Sequence, residues 1–367
     1  MPASTRRLAA LVTPAVLVAF AASCGTKPPG DAADSATSAP TTAATNAPAF
    51  ASSGAVPDEG TVTPVAQAPK KPLRIAVLGL ESSPFWIPVK AGAERARREL
   101  AARNTTVDWI VPGENHTAEV FGRAIDAAVA KQYDAIATIA GDAGVAAFID
   151  RAVQAGIPVA TYNSETTTPN KRLFFVGADS YKQGQAAGAL MCKLVGPSGK
   201  VGVITGFFAV EAHAARVKGF EDALKAGCPQ ATVVGRVENQ DKAEIAYQQA
   251  KDFMTAHADL NGLIATAGSP FGAARAVDEV GKAGKVHLVT FDAVDETMDY
   301  VEKGVIDATI GQNPDAQGHD PAVRLYNYLV TGQAPPYGQL LTRAEVITKA
   351  NAAQFRARPT TGKDSTR

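Results

Sequence analysis

The sequence predicts an α/β protein of two similar, doubly wound parallel-sheet lobes. Three observations carry this. Short apolar runs rich in β-branched residues alternate with helical segments of about 12 residues, the signature of right-handed βαβ units. The runs are continuously apolar, as befits strands covered on both faces. The alternation starts at Leu73 and restarts after residue 179, which implies a second lobe, and a cleft between the two, in place of one oversized sheet.

In order, "LRIAVLGL" (73–80) is the first strand, followed by the loop "ESSPFWIPVKAG" and the helical "VKAGAERARRELAAR". Strand "TVDWIV", helix "TAEVFGRAIDAAVAKQ", strand "DAIATIA", helix "VAAFIDRAVQAG" and strand "IPVATYN" complete that lobe's alternation. The second run is "KVGVITG", "AARVKGFEDALKAG", "TVVGRVE", "KAEIAYQQAKDFMTAH", "LNGLIATAG", "GAARAVDEVGKAG", "VHLVTFD", "DETMDYVEKG" and "DATIGQ".

Ahead of the body, "MPASTRRLAALVTPAVLVAFAASCGTKPPG" joins two arginines, an apolar stretch from Leu8 to Ala22, small residues and Cys24. This is a secretory-signal pattern, too short and Pro-interrupted for a stable span. The Cys after small residues resembles the lipobox of bacterial lipoproteins, which implies lipidation at Cys24 and removal of the residues before it. Ala21 departs from the Leu usual in that motif, and simple cleavage or an uncleaved anchor is the alternative. Residues 25–72, rich in Ala, Ser, Thr, Pro and Gly, cannot offset their ordering entropy and read as a disordered tether. Basic and acidic residues balance at 36 each, which argues against a nucleic-acid partner. Export permits a disulfide between Cys192 and Cys228, with two buried thiols as the alternative.

Ligands of open α/β sheets bind at the carboxyl ends of strands. The residues there are Ser83, Phe85 and Trp86; Asp142; Asn163 and Ser164; His213 and Arg216; Thr266 and Ser269; Asp292; and Gln312. Neutral hydrogen-bonders, two carboxylates, one Arg and adjacent aromatics suit a neutral polyol, whose hydroxyls pair with the polar groups while flat rings cover its C–H faces. Bland alternatives stand beside each: Phe85 and Trp86 as core or a helix staple, Asp142 and Asp292 as helix caps, Arg216 as a solvated helix residue. Motifs of nucleotide binding, serine hydrolysis and zinc proteolysis are missing. The five histidines lack metal-ligand spacing, and only His213 directly follows a strand. No enzyme, cofactor or metal is expected.

"SSPFW", "AGIPVATYN", "VGADSYKQGQAAGALM", "AARVKGFEDAL" and "VTFDAVDETMDYVEKGVIDATIGQNPDAQG" resemble the periplasmic sugar-binding proteins of the ribose/glucose-binding type, over about Leu73 to Gln354. The resemblance implies the type I periplasmic binding protein fold, with a three-segment hinge near Ala178, Gln312 and Thr342. The lobes would be 73–178 plus 313–341 and 179–312 plus 342–355, with 356–367 a disordered tail. It places the stacking aromatics at Phe85 and Trp86, the polar residue before them at Ser83, and the cleft Arg, carboxylate and Gln at Arg216, Asp292 and Gln312. Where ribose binders have Asp-Arg this chain has Asn163-Ser164, and Thr266 replaces an Asn, so the sugar itself is open. The implied activity is capture of a monosaccharide, pentose or hexose, by a lipid-anchored monomer that delivers it to the membrane permease of an ATP-driven importer. The alternative is reporting the sugar to a sensor kinase or chemoreceptor.

Overall fold

The computed structural model describes residues 56–58 and 62–358. The first lobe is a seven-stranded sheet, in spatial order β1 (Val56–Asp58), β12 (Gln339–Thr342), β6 (Phe174–Gly177), β5 (Val159–Tyr162), β4 (Ala135–Thr138), β2 (Leu73–Leu78) and β3 (Thr105–Ile110). Every pairing in it is parallel. Helix α1 (Trp86–Ala101) packs on α9 (Pro314–Thr331), and α2 (Ala118–Ala130) on α3 (Val145–Gln154). The continuously apolar strands β4, β5 and β6 are buried at every residue, which is why they read as unbroken runs.

The second sheet runs β13 (Glu345–Ile347), β11 (Ala308–Gly311), β10 (His287–Phe291), β9 (Gly262–Ala265), β7 (Lys200–Thr205) and β8 (Thr232–Glu238). Only the β11–β13 pairing is antiparallel. Its core divides in two. Ala187, Met191 and Phe220 form one part, under α4 (Ser180–Val195) and α5 (Glu211–Gly227). The other lies under α6 (Ala243–Ala256), α7 (Phe271–Glu279) and α8 (Asp295–Lys303), with α10 (Ala352–Arg356) beside α8. Both faces of the sheet are therefore covered, the doubly wound arrangement.

The chain passes between sheets three times: after β6, between β11 and α9, and between β12 and β13. In the second lobe α4 and α5 approach so closely that a Cβ on Gly184 would stand 2.1 Å from the Arg216 carbonyl oxygen. Glycine there lets Gln183 and Arg216 share one bond, which matters below. Cys192, in the last turn of α4, is bonded to Cys228 at the end of α5, with Cα atoms 5.7 Å apart.

Two boundaries differ from the sequence reading. The tether was expected through Pro72, but β1 pairs with β12, with Val56 opposite Leu340. Val62 and Val65 pack on the first-lobe core. The Val65 amide donates to Asn327 Oδ1 at 2.8 Å, and the Tyr326 hydroxyl to the Gln67 carbonyl at 2.8 Å. Without β1, strand β12 would be a bare sheet edge, and a few residues suffice to cover it; two valines are lost in the average composition of so polar a segment. At the other end Arg358, placed by sequence in the disordered tail, donates to Glu345 Oε1 at 2.7 Å. Cys24, the candidate signal, the remainder of the tether and residues 359–367 lie outside the described residues. No helix among the described residues is long and apolar enough to cross a membrane.

Candidate functional site

Strand ends of both sheets converge on one small cavity between the lobes. The first lobe contributes Ser83, Phe85, Trp86, His116 and Asn163; the second contributes Ala212, His213, Arg216, Asp241, Ala267, Gly268, Asp292 and Gln312. Asn163, Asp241 and Asp292 all sit just beyond strands with φ of 65°, 56° and 68°. Asn and Asp tolerate this left-handed conformation best among residues with a side chain. It turns the chain sharply where each strand exits.

Phe85 and Trp86 open α1 and meet edge to face, with centroids 5.2 Å apart and planes at 84°. Trp86 is only 3% exposed and belongs to the first-lobe core, so the pair both packs and walls the cavity.

Opposite lies the Arg216 network. Its Nε donates to Gln183 Oε1 at 3.2 Å, Nη1 to the Thr266 carbonyl at 3.0 Å and Nη2 to Gln312 Oε1 at 3.0 Å. Phe291 lies beneath the guanidinium, 4.8 Å from centroid to Cζ. Gln312 Nε2 donates to Asp292 Oδ1 at 2.6 Å. Gln317 Nε2 donates to the Gln312 carbonyl at 2.8 Å, and Asn163 Nδ2 to Gln317 Oε1 at 2.9 Å. One unbroken chain of hydrogen bonds thus runs from Asn163 in the first lobe, through the hinge at Gln312, to Arg216 and Asp292 in the second. Burial raises the Asp292 pKa above the usual carboxylate value, against the opposing pull of Arg216 and the Gln312 bond. Burial lowers that of Arg216, against Asp292 and Asp241.

Of the strand-end residues, Asp142, Ser164, Thr266 and Ser269 stand off the cavity. Asp142 Oδ2 accepts the Ala118 amide at the start of α2 (3.0 Å) and Oδ1 accepts the Gly144 amide (2.8 Å). Its carboxylate caps helical turns, the bland reading. Thr266 is fully buried with its hydroxyl donating to Thr205 Oγ1 at 2.8 Å, and it contributes only its carbonyl, behind Arg216.

Two residues that sequence reasoning missed do line the cavity. His116 follows β3, and Asp241 follows β8. Each is 7% exposed. Both His116 ring nitrogens and Asp241 Oδ1 lack a hydrogen-bond partner. The signal for both was the strand-end rule applied to β3 and β8, the two edge strands whose exits went unread. His213, which follows β7, is also there, its Nδ1 accepting the Phe207 amide at 3.1 Å. Burial, with lesser contributions from His116 and Arg216, pushes His213 well below the usual histidine value, and burial alone brings His116 down to about 4. Both are neutral imidazoles at physiological pH. No cluster of metal-ligating residues occurs among the described residues.

The lobes are closed on each other. At the start of α5 the Glu211 amide donates to the Gly141 carbonyl (2.9 Å). Its carboxylate accepts the Thr166 hydroxyl and the Thr167 amide, each at 2.6 Å. Glu211 is a second-lobe residue whose partners here all belong to the first.

The family model for the periplasmic binding protein domain matches residues 76–334. The D-ribose/D-allose-binding protein of Pseudomonas aeruginosa is 25% identical over 296 residues, spanning 77% of this chain and 91% of that protein. Among solved structures, GanP, a glucose-galactose binding protein from Geobacillus stearothermophilus, superposes with a TM-score of 0.70 at 27% identity, over 77% of this chain and 99% of that one. An ABC transporter solute-binding protein from Agrobacterium vitis, bound to α-D-tagatopyranose, gives a TM-score of 0.70 at 26% identity, over 80% of this chain and all of the other. These relatives are binding proteins and not enzymes, and the two-lobed α/β architecture is theirs. With a family match over well more than half its length, the chain belongs to the periplasmic binding protein domain family.

Proposed function

We propose that this chain is the substrate-binding component of an ATP-driven sugar importer. It captures a monosaccharide, pentose or hexose, between its lobes and presents the closed form to a membrane permease, as a monomer anchored by lipid on Cys24. The observation that carries the reading is the convergence, on one inter-lobe cavity, of an aromatic wall and a hydrogen-bond chain drawn from both lobes and the hinge. The sugar names of the relatives support it, and membership of a periplasmic family fits export.

Arg216 has five N–H donors, of which three are spent on the protein, leaving two for ligand hydroxyls. Asp292 gives Oδ1 to Gln312 and keeps Oδ2 to accept another. Trp86 and Phe85 cover the apolar face of the ring. A ligand touching both walls stabilises the closed state by contacts the open state lacks.

Glu211 adds contacts that exist only on closure. Glu211→Ala removes two hydrogen bonds to its carboxylate, each contributing about 1 kcal/mol or more. It is expected to weaken sugar affinity roughly tenfold or more, mainly through faster dissociation. Stopped-flow and calorimetric titration check this; an unchanged dissociation rate contradicts a role for Glu211 in closure.

A further inference from the structure

We propose that the ligand of this cleft carries a protonated amine, as an amino sugar or aminocyclitol, with the ammonium held by Asp241 beside His116. The proposal rests on the sugar reading above and narrows its chemical class.

The charges in the cavity do not balance. Its wall holds two carboxylates, Asp241 and Asp292, and one cation, Arg216. Arg216 is tied through Gln312 to Asp292. Asp241 makes no ion pair with a Lys or Arg among the described residues; His116 of the opposite lobe stands beside it, with Nε2 to Oδ2 at 3.8 Å. Burial makes that imidazole neutral. Burial and the neighbouring Asp292 push Asp241 up to about 7, with Arg216 opposing. A buried carboxylate without a counter-ion is costly, and a ligand cation supplies what is missing. A neutral hydroxyl would satisfy a hydrogen bond but leave Asp241 largely protonated, whereas a ligand cation favours its ionised form.

The position is also built. The Asp241 amide donates to Asn239 Oδ1 at 3.1 Å, and its carbonyl accepts the Ser269 hydroxyl at 2.9 Å. Asn239, itself fully buried, donates to the Gly268 carbonyl at 2.8 Å. A Cβ on Gly206 or Gly268 would come within 2.4 or 2.3 Å of Asp241 Oδ1, so the two glycines make the carboxylate's room. His116, with both ring nitrogens unpartnered, offers a donor and an acceptor to the hydroxyl next to the amine.

The test is calorimetric titration of the full chain at about pH 6.5, where such amines are charged, with matched pairs. These are D-glucosamine and D-glucose, D-galactosamine and D-galactose, D-mannosamine and D-mannose, and scyllo-inosamine and scyllo-inositol. N-acetyl derivatives serve as uncharged controls. The expected result is at least one amine binding roughly tenfold or more tighter than its hydroxyl twin. N-acetylation should remove that preference, and Asp241→Asn should shrink it below about threefold. Titration of the wild-type protein in buffers of different ionisation enthalpy should also show fractional proton release with the amine, as Asp241 ionises, a readout independent of any variant. Neutral twins binding as tightly as every amine, or an amine preference that survives Asp241→Asn, overturns the proposal and leaves the sugar reading standing. Failure of all these compounds together with all neutral sugars overturns both.

Discussion

Asp292→Asn is expected to weaken sugar binding roughly tenfold or more while raising the melting temperature of the ligand-free protein at neutral pH. The two effects have opposite signs because one carboxylate serves the ligand at a cost to the fold. Asparagine can still accept the Gln312 bond through its Oδ1, but it puts an NH2 donor where Oδ2 would accept a hydroxyl. Losing one charge-assisted hydrogen bond, at about 1.5–3 kcal/mol, predicts an affinity loss of roughly tenfold to 100-fold. For stability, burial raises the native pKa of Asp292 above its unfolded value. The native state therefore holds this proton more tightly than the unfolded chain does. That contribution is complete below the unfolded pKa and is lost as pH rises through the native one, so ionised Asp292 weighs against folding at neutral pH. The melting-temperature gain of Asp292→Asn should accordingly vanish in acid. Calorimetry checks the affinity and scanning over a pH series the stability; an unchanged affinity contradicts the site.

Trp86→Ala is expected to damage fold and site together. Its indole is 3% exposed, packed in the first-lobe core against Phe85 and 6.2 Å from the His116 ring. Truncating a buried aromatic costs about 3–5 kcal/mol, through lost transfer energy and the cavity left behind. Loss of the stacking face should weaken sugar binding by about tenfold or more in the molecules that remain folded. Trp86→Phe separates the roles, keeping a ring on the wall while filling less of the core. It should recover most of the affinity and only part of the stability, measured by titration well below the melting temperature and by urea unfolding. Wild-type affinity in Trp86→Ala would make the aromatic pair packing alone.

The alternation of strands and helices was legible because parallel strands covered on both faces are apolar at nearly every position and because the helices between them bury one face. The chain passes between the sheets after β6, between β11 and α9, and between β12 and β13. Strand β1 was not legible: its stability comes from an edge offered by β12, hundreds of residues away, and three residues in a Pro- and Ala-rich segment carry no periodic signal. The strand-end rule named Ser83, Asn163, Arg216, Asp292 and Gln312, which line the cavity, because the rule is a property of the sheet and not of any one residue type. It misplaced Asp142, since an Asp beyond a strand can as well serve a helix N-terminus, and only the geometry decides. It passed over His116 and Asp241, which come from edge strands and reach the cavity through longer exits. Gln317 was hidden for a different reason. It lies on α9, away from any strand end, yet joins Asn163 to Gln312.

On the reading proposed above, the cavity between the lobes is a monosaccharide site. Calorimetric titration of the purified protein with a panel of pentoses, hexoses, amino sugars and cyclitols, set against amino acids and purines, tests it most directly. Micromolar or tighter binding of at least one sugar or cyclitol at one site per chain, weakened roughly tenfold or more in Asp292→Asn, is the expected result. Binding of an amino acid or purine, with no response to any member of the sugar panel, would contradict it.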